Sequence, residues 1–204
     1  MIKTLIFDLG KVLVPFELQR GYAALAPHTP YPPEELARRV AATDIVTRFE
    51  QGLLQPEEFF QQFSALLGLE VGYRRFCALW SSIFLPETLI PEDLLAGLRR
   101  NYRLLVLSNT NAIHFEMLRQ RYPLLRHFDD FILSYRVGTL KPAPEMYRSA
   151  IARAGCLPSE CFYTDDIPSY VEAGRQHGLD AVQFCGLEQL EGELRARGIQ
   201  WRVD

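Results

Sequence analysis

Short apolar segments recur along the chain and alternate with segments of helical periodicity. The apolar segments span residues 5–7, 104–107, 131–133, 162–163 and 181–184, and they predict buried strands. Between two of them, Met146, Ala150 and Ile151 follow Pro144 at helical spacing, which predicts a helix over 144–154. This alternation favours an α/β fold in which a parallel sheet is flanked by helices. Such sheets bind their ligands at the carboxyl ends of the strands.

One interval departs from this alternation. About 90 residues separate the first two strand segments, whereas a crossover between parallel strands needs about a dozen. Within it, Tyr73, Phe76 and Trp80 follow helical spacing, and Pro33 and Pro56 each precede two glutamates, as at helix starts. The pattern predicts a helical bundle inserted at about 16–84, followed by a core helix near 91–100.

Composition narrows the class of protein. The chain has 204 residues, of which 48% are apolar and 23% charged, so either one ordinary folded domain or a domain with a sizeable insertion is expected. Twenty-two basic residues against 25 acidic ones give a net charge of −3 without a basic cluster. Nucleic acids and anionic membrane surfaces are therefore disfavoured as partners.

The expected location is cytoplasmic. No apolar run approaches the roughly 18 residues of a membrane span, and Asp8 interrupts the first apolar segment too early for a secretory signal. The four cysteines form no CxxC pair, so we expect reduced thiols that contribute to packing. The oligomeric state does not follow from the sequence.

Polar residues follow several of the predicted strands. They are Asp8 after the first, Ser108 and Asn109 after the second, Lys141 after the third, and Asp165 with Asp166 after the fourth. Any one of them alone would be read as a turn, a helix cap or a surface charge. Their occurrence in order, each at a carboxyl end, predicts a shared site.

This order of motifs, together with the inserted helices, resembles the haloacid dehalogenase-like hydrolase superfamily over the whole chain. The resemblance implies a Rossmann-like catalytic core formed by residues 1–15 and 85–204. It also implies that residues 16–84 are a helical cap, which closes over the active site and helps to select the substrate.

The resemblance also assigns roles to the polar residues. It implies that Asp8 is the nucleophile, that Ser108 binds phosphate, and that Lys141 neutralises both. Asp165 and Asp166 would hold Mg²⁺ together with Asp8. A carboxylate can attack a phosphoryl group only when charge repulsion is relieved, and a metal ion and an ammonium group together relieve it.

The first motif departs from the family pattern. Phosphatases of the family usually have Asp-x-Asp there, and the second Asp acts as general acid and base; this chain has Asp8-Leu9-Gly10. Gly10 keeps the backbone carbonyl that binds the metal but lacks the proton donor, whose loss costs about 10²–10⁴ in rate. A side chain at this position would be strained if the backbone were left-handed. Lys11 is a poor substitute, and Glu17 is interpreted as a polar hinge residue rather than a replacement acid.

Other candidates carry less weight. The four histidines, His28, His114, His127 and His177, show no metal-ligand spacing and are expected at the surface or as caps. Asn109 would either contact phosphate or cap the helix that begins near residue 111. Phe49 and Glu50 lie in a segment that resembles the part of family caps facing the active site, so both are candidate specificity residues.

The leading hypothesis is a Mg²⁺-dependent phosphatase that hydrolyses a small phosphomonoester, with sugar phosphates favoured, through an aspartyl-phosphate intermediate. One alternative is a 2-haloacid dehalogenase, which needs no Mg²⁺; the paired acids at 165 and 166 count against it. The other alternative is a non-catalytic regulatory module that binds a phosphorylated small molecule, for which Gly10 is the support.

Overall fold

A computed structural model describes residues 1–201 and contains a parallel sheet flanked by helices. In that part of the chain the sheet has five strands in the order β3-β2-β1-β4-β5, and every pairing is parallel. The strands are β1 (Thr4–Phe7), β2 (Arg103–Ser108), β3 (Asp130–Leu133), β4 (Cys161–Asp165) and β5 (Asp180–Gln183). The predicted α/β fold and its five strand segments are thereby confirmed.

Helices occupy most of the sequence between the strands. They are α1 (Leu18–Leu25), α2 (Pro33–Ala41), α3 (Ile45–Glu50), α4 (Pro56–Leu67), α5 (Tyr73–Trp80), α6 (Glu92–Arg99), α7 (Ala112–Arg121), α8 (Ser134–Val137), α9 (Pro144–Ala154), α10 (Pro168–Gln176) and α11 (Leu187–Ala196). Three of them begin at the prolines that the sequence marked, because proline fits the first helical turn, where its missing N–H is not needed. The predicted helix over 144–154 is confirmed.

The sheet lies between two apolar layers. Side chains alternate along β1, so that Leu5 and Phe7 pack with residues of α6, α7 and α11, whereas Ile6 packs with residues of α9 and α10. All three side chains are fully buried. Burial on both faces explains why the strands are continuous apolar runs rather than alternating ones.

The helices between β1 and α6 build an apolar cluster of their own. It is formed by residues of α1–α5, among them Phe59, Phe63 and Trp80, and Ile113 of α7 joins it from the core. Two antiparallel connections link this insertion to the sheet. Across them, the Glu17 N–H donates to the Ile83 carbonyl (2.9 Å) and the Leu85 N–H to the Pro15 carbonyl (3.0 Å). The division into a core and a cap at these points stays a prediction, which the separate cluster supports.

Two further expectations concern membranes and thiols. In residues 1–201 no helix has both the length and the apolar character that a membrane crossing requires. All four cysteines are free, as expected for reduced thiols. Cys185 is exposed, however, so the expectation that every cysteine contributes to packing was wrong for this one.

Candidate active site

The strand order brings the predicted residues to one edge of the sheet. β1 lies between β2 and β4, so Asp8, directly after β1, lies between Ser108 at the end of β2 and Asp165 at the end of β4. The Asp8 N–H donates to the Thr164 carbonyl at 3.0 Å, which extends the β1–β4 ladder by one residue. The predicted convergence at the carboxyl ends is therefore present.

Lys141 is the centre of the site. Its Nζ lies 2.7 Å from Asp8 Oδ1, 2.5 Å from Asp165 Oδ2 and 3.0 Å from the Leu107 carbonyl, and the residue is only 3% exposed. Burial lowers the pKa of Lys141, but the two carboxylates raise it by more, so the net shift is upward. The lysine is held as an ammonium that links both acids.

Asn109 holds this lysine in place. Lys141 does not directly follow β3 as the sequence suggested, because α8 and a turn at Gly138 intervene. Two hydrogen bonds from the Asn109 side chain fix the Lys141 backbone beside the strand ends. Oδ1 accepts from the Lys141 N–H (2.7 Å), and Nδ2 donates to the Lys141 carbonyl (3.1 Å). The helix-capping alternative for Asn109 was wrong, since Asn111 caps α7 by accepting from the His114 N–H at 3.0 Å.

Three carboxylates lie close together at this edge of the sheet. Ligand oxygens of Asp8, Asp165 and Asp166 all lie within 4.8 Å of one another. Burial raises the pKa of Asp8, and Asp165 raises it further, although Lys141 lowers it. Burial and Asp165 likewise raise the pKa of Asp166. Oxygen ligands of octahedral Mg²⁺ are about 3–4 Å apart, so this donor set fits a hard divalent cation, whose charge would also relieve the repulsion.

Asp165 is the most constrained of the three acids. Its Oδ2 accepts from Lys141 and from the Tyr163 hydroxyl (2.5 Å), and its Oδ1 accepts from the Ile167 N–H (2.9 Å). Sequence reasoning missed Tyr163. The signal was available, because residues two apart on a strand point to the same face and Tyr163 precedes Asp165 by two on β4.

Phe16 fills the space where the family's second acid would lie. A Cβ added to Gly10 would come within 2.7 Å of Phe16 Cε1. The left-handed backbone considered for Gly10 is absent; Lys11 has it instead, with φ at 57°. The obstacle to a side chain at position 10 is therefore the aromatic ring and not backbone strain.

A cavity of about 470 Å³ opens beside the cluster. Gly10, Ser108 and Asn109 line it from the core, and the insertion contributes Glu50, whose carboxyl pKa burial raises to about 7. Phe49, in contrast, is buried in the insertion and stacks on the Phe59 ring with centroids 4.1 Å apart. The specificity role suggested for Phe49 is therefore excluded by its packing, whereas Glu50 reaches the cavity.

Two other candidates remain, and the structure departs from the prediction for one of them. His114 is buried rather than at the surface, and burial lowers its pKa to about 4, so it is neutral near pH 7. Its ring contacts the Asn111 side chain and the Trp80 carbonyl. Glu17 is exposed at the start of α1 and does not line the cavity, which fits its interpretation as a hinge residue.

Comparison with known proteins agrees with this geometry. The haloacid dehalogenase-like hydrolase family matches residues 2–178. A D-ribitol-5-phosphate phosphatase of Bacteroides thetaiotaomicron is 30% identical over 189 residues, which cover 90% of this chain and 92% of that protein.

Solved structures give the same result. A HAD family enzyme from B. thetaiotaomicron in a magnesium complex superposes with a TM-score of 0.82 at 28% identity, covering 95% of this chain and 98% of that one. The wild-type enzyme of that description, in complex with magnesium and inorganic phosphate, gives a TM-score of 0.78 at 27% identity, covering 90% and 93%. The chain described here belongs to the haloacid dehalogenase-like hydrolase family.

Proposed function

We propose that this hydrolase is a Mg²⁺-dependent phosphatase that acts on a small phosphomonoester, with sugar or polyol phosphates as the favoured class. The observation that carries the proposal is the buried Lys141 ammonium, which links Asp8 to Asp165 at the strand ends. The relative named as a ribitol-phosphate phosphatase and the solved magnesium and phosphate complex support it.

Asp8 is the proposed nucleophile. Its carboxylate would form a bond to phosphorus while the bond to the leaving alcohol breaks, and water would then cleave the aspartyl phosphate. Lys141 contacts Asp8 and is positioned to reduce the repulsion between this carboxylate and an incoming phosphate. Ser108, at the end of β2, lines the cavity, and its hydroxyl would donate a hydrogen bond to a phosphate oxygen.

The residues present fit Mg²⁺. Asp8, Asp165, Asp166 and the Gly10 carbonyl would hold it, and its charge would stabilise the negative charge that develops on the transferred group. Asp165 also accepts three hydrogen bonds, one of them from Lys141, so it would orient this lysine as well. Asn109 contributes by holding the Lys141 backbone.

The two alternatives make different predictions. A 2-haloacid dehalogenase would release halide without Mg²⁺, and nothing in its chemistry would need the paired acids Asp165 and Asp166 beside Asp8. A regulatory module would bind phosphate without turnover. Both are distinguished from the proposed phosphatase by one assay of phosphate release with and without Mg²⁺.

The decisive variant is Asp8→Asn. We expect the wild-type protein to release phosphate from a panel of phosphomonoesters with Mg²⁺ and to stop in excess chelator, because three carboxylates need the cation. Asp8→Asn should abolish turnover while the circular dichroism spectrum stays native. Asp93→Asn, an exposed acid in the first turn of α6, is the matched control and should remain active. Near wild-type turnover by Asp8→Asn would refute the mechanism.

A second variant pair tests the assignment of the cation. Lys141→Ala should lower kcat/KM by roughly 10²–10³, since electrostatic contacts to the reacting groups are worth about 3–4 kcal/mol each. Lys11→Ala should have a mild effect, because Lys11 is exposed and its Nζ lies 5.3 Å from the Phe16 ring centroid. Equal losses in steady-state kinetics would show that the wrong lysine has been assigned.

A further inference from the structure

The shape and lining of the cavity beside the three carboxylates restrict what the substrate can carry beyond its phosphate. Gly10, Ser108 and Asn109 line it next to the proposed nucleophile, so the phosphate would lie at this end. Its volume of about 470 Å³ lies in the range of small-molecule sites. The part of the substrate beyond the phosphate would therefore contact the residues that the insertion contributes to the cavity.

Those residues lack a positive charge. Among the described residues that line the cavity there is no lysine or arginine, and the single histidine there, His114, is held neutral by burial. A second phosphate or a carboxylate on the substrate would therefore lose its hydration without gaining a counter-charge. The geometry thus disfavours doubly anionic substrates.

Glu50 is the carboxyl group in this cavity. It is the last residue of α3 and is half-buried, and within residues 1–201 its side chain makes no hydrogen bond or ion pair. Apolar cavity residues such as Val46 and Phe84 offer it no polar partner. Because burial raises the pKa of Glu50 to about 7, this carboxyl group is protonated in a large fraction of the molecules near neutral pH. A protonated carboxyl group both donates and accepts hydrogen bonds.

Hydroxyl groups are the ligands whose hydrogen-bonding capacity matches the side of the cavity that Glu50 lines. Glu50 shares it with the side chains of Tyr22 and Thr47, both of which offer hydroxyls. A chain of alcohol groups can donate to and accept from such residues without introducing a charge. An apolar chain would leave the carboxyl without a partner, and an anion would repel its ionised form.

We propose that Glu50 is a specificity-determining residue that hydrogen-bonds the hydroxyl groups of an uncharged polyol chain and rejects substrates with a second anionic group. This inference rests on the proposed phosphatase function and defines its substrate class. Glu50 acts on substrate binding, so its effect falls on KM and not on the chemical step.

The test uses four phosphomonoesters and measures kcat and KM for each. D-Ribitol 5-phosphate is the polyol probe, 5-phosphoribonate adds a carboxylate, pentyl phosphate lacks the hydroxyls, and 4-nitrophenyl phosphate reports the chemical step. The wild-type protein should prefer the polyol probe over the second and third compounds by at least about tenfold in kcat/KM, because a polar site rejects analogues that leave it unpaired.

Two variants of Glu50 separate hydrogen bonding from structure. Glu50→Ala should raise KM for D-ribitol 5-phosphate by about tenfold or more, and should raise KM much less for pentyl phosphate, which has no hydroxyl groups to lose a partner. Glu50→Gln, which keeps a neutral donor and acceptor, should restore KM for the polyol to within about threefold and improve 5-phosphoribonate by about tenfold. Glu17→Gln, at the exposed glutamate before α1, is the matched control and should behave as wild type.

Several outcomes would overturn the inference. One is that Glu50→Ala still prefers D-ribitol 5-phosphate over 5-phosphoribonate and pentyl phosphate as strongly as the wild-type protein does. Another is a loss of kcat for the polyol in Glu50→Gln, which would make Glu50 a proton donor. A third is that the wild-type protein prefers an aminoalkyl phosphate. Failure of the wild-type protein to hydrolyse any of the four compounds would overturn the proposed function and this inference with it. Hydrolysis without discrimination would overturn the inference alone.

Discussion

The aromatic ring of Phe16 occupies the space beside Gly10. Phe16 is half-buried, its ring centroid lies 5.9 Å from that of Phe84, and its Cε1 lies where a Cβ at position 10 would need room. Exchange of Gly10 for aspartate therefore changes two things at once, because the new carboxyl group and the ring compete for one volume. The contribution of the missing acid can be measured only when the ring is also made smaller.

The double variant Gly10→Asp/Phe16→Ala tests this. We expect Gly10→Asp alone to lower stability without raising turnover, since overpacking forces neighbouring side chains to move. Relative to Phe16→Ala, the double variant should gain up to about 10²–10⁴ in kcat on primary alcohol phosphates. It should gain little on 4-nitrophenyl phosphate, whose leaving group needs no proton. An equal gain on both substrates would show that the new carboxyl does not act as the general acid.

A buried acid without a partner also makes stability depend on pH. Because the folded-state pKa of Glu50 is about 7 and its ordinary value is 4.5, the unfolded chain loses this proton first as the pH rises. Folded protein then binds more protons than unfolded protein, so the carboxyl group lowers the free energy of unfolding progressively between about pH 4.5 and pH 7. Below that window the loss is absent.

The measurement is urea denaturation of wild type and Glu50→Gln across pH 4.5 to 8. The stability of Glu50→Gln relative to wild type should increase through this window, by at most about 3 kcal/mol, and then level off. The same subtraction for Glu17→Gln provides the baseline. If the difference in free energy of unfolding between wild type and Glu50→Gln stayed constant across this pH range, burial would not shift the pKa of the Glu50 carboxyl.

At the scale of elements, the turn between α3 and α4 packs against α8 of the core. Gly52 has φ at +72°, and a Cβ there would lie 2.1 Å from the Tyr135 carbonyl oxygen in α8. Gly68, at the end of α4, has a similar φ of +61°, but its Cβ would meet only the Pro30 side chain at 3.3 Å. The two glycines share a conformation and differ in what lies against them.

This difference predicts unequal effects of alanine. Gly68→Ala should lower the free energy of unfolding by about 1 kcal/mol, the usual value for a left-handed residue with a side chain. Gly52→Ala should lower it by more, because the turn or the backbone of α8 must also move. Chemical denaturation of both variants gives the comparison, and an equal loss would show that the turn does not depend on the close contact with Tyr135.

For the whole molecule, the two connections between insertion and core are the expected hinge. The apolar cluster of the insertion is largely separate from those of the sheet, so a rotation about the connections would leave most packing intact. The amides of Glu17 and Leu85 donate across these connections and can report such a motion.

Hydrogen exchange with and without Mg²⁺ and orthovanadate, a phosphate analogue, tests the hinge. We expect exchange at the amides of Glu17 and Leu85 to change when the analogue binds, while amides inside α4 stay unchanged as an internal control. Unchanged exchange at both connections, with binding verified independently, would exclude a moving cap.

Much of this fold follows from local sequence rules. Apolar runs marked the buried strands, and prolines followed by acids marked helix starts, because both depend on residues close together in the chain. Asp8, Ser108 and Asp165 could be placed together because the carboxyl ends of parallel strands share one edge of the sheet. The sequence alone thus determined the α/β architecture and predicted that these three residues lie at one edge of the sheet.

Contacts between distant segments were decided only by the tertiary structure. Lys141 reaches Asp8 because Asn109, 32 residues earlier, binds its backbone, and no periodicity encodes that bond. Likewise, the filling of the space beside Gly10 by Phe16 depends on how the first connection crosses the sheet edge. Whether Phe49 or Glu50 faces the cavity depends on the rotation of α3 against its neighbours. Such choices are set by packing between elements, where many side chains compete for one volume, and so a linear pattern does not contain them.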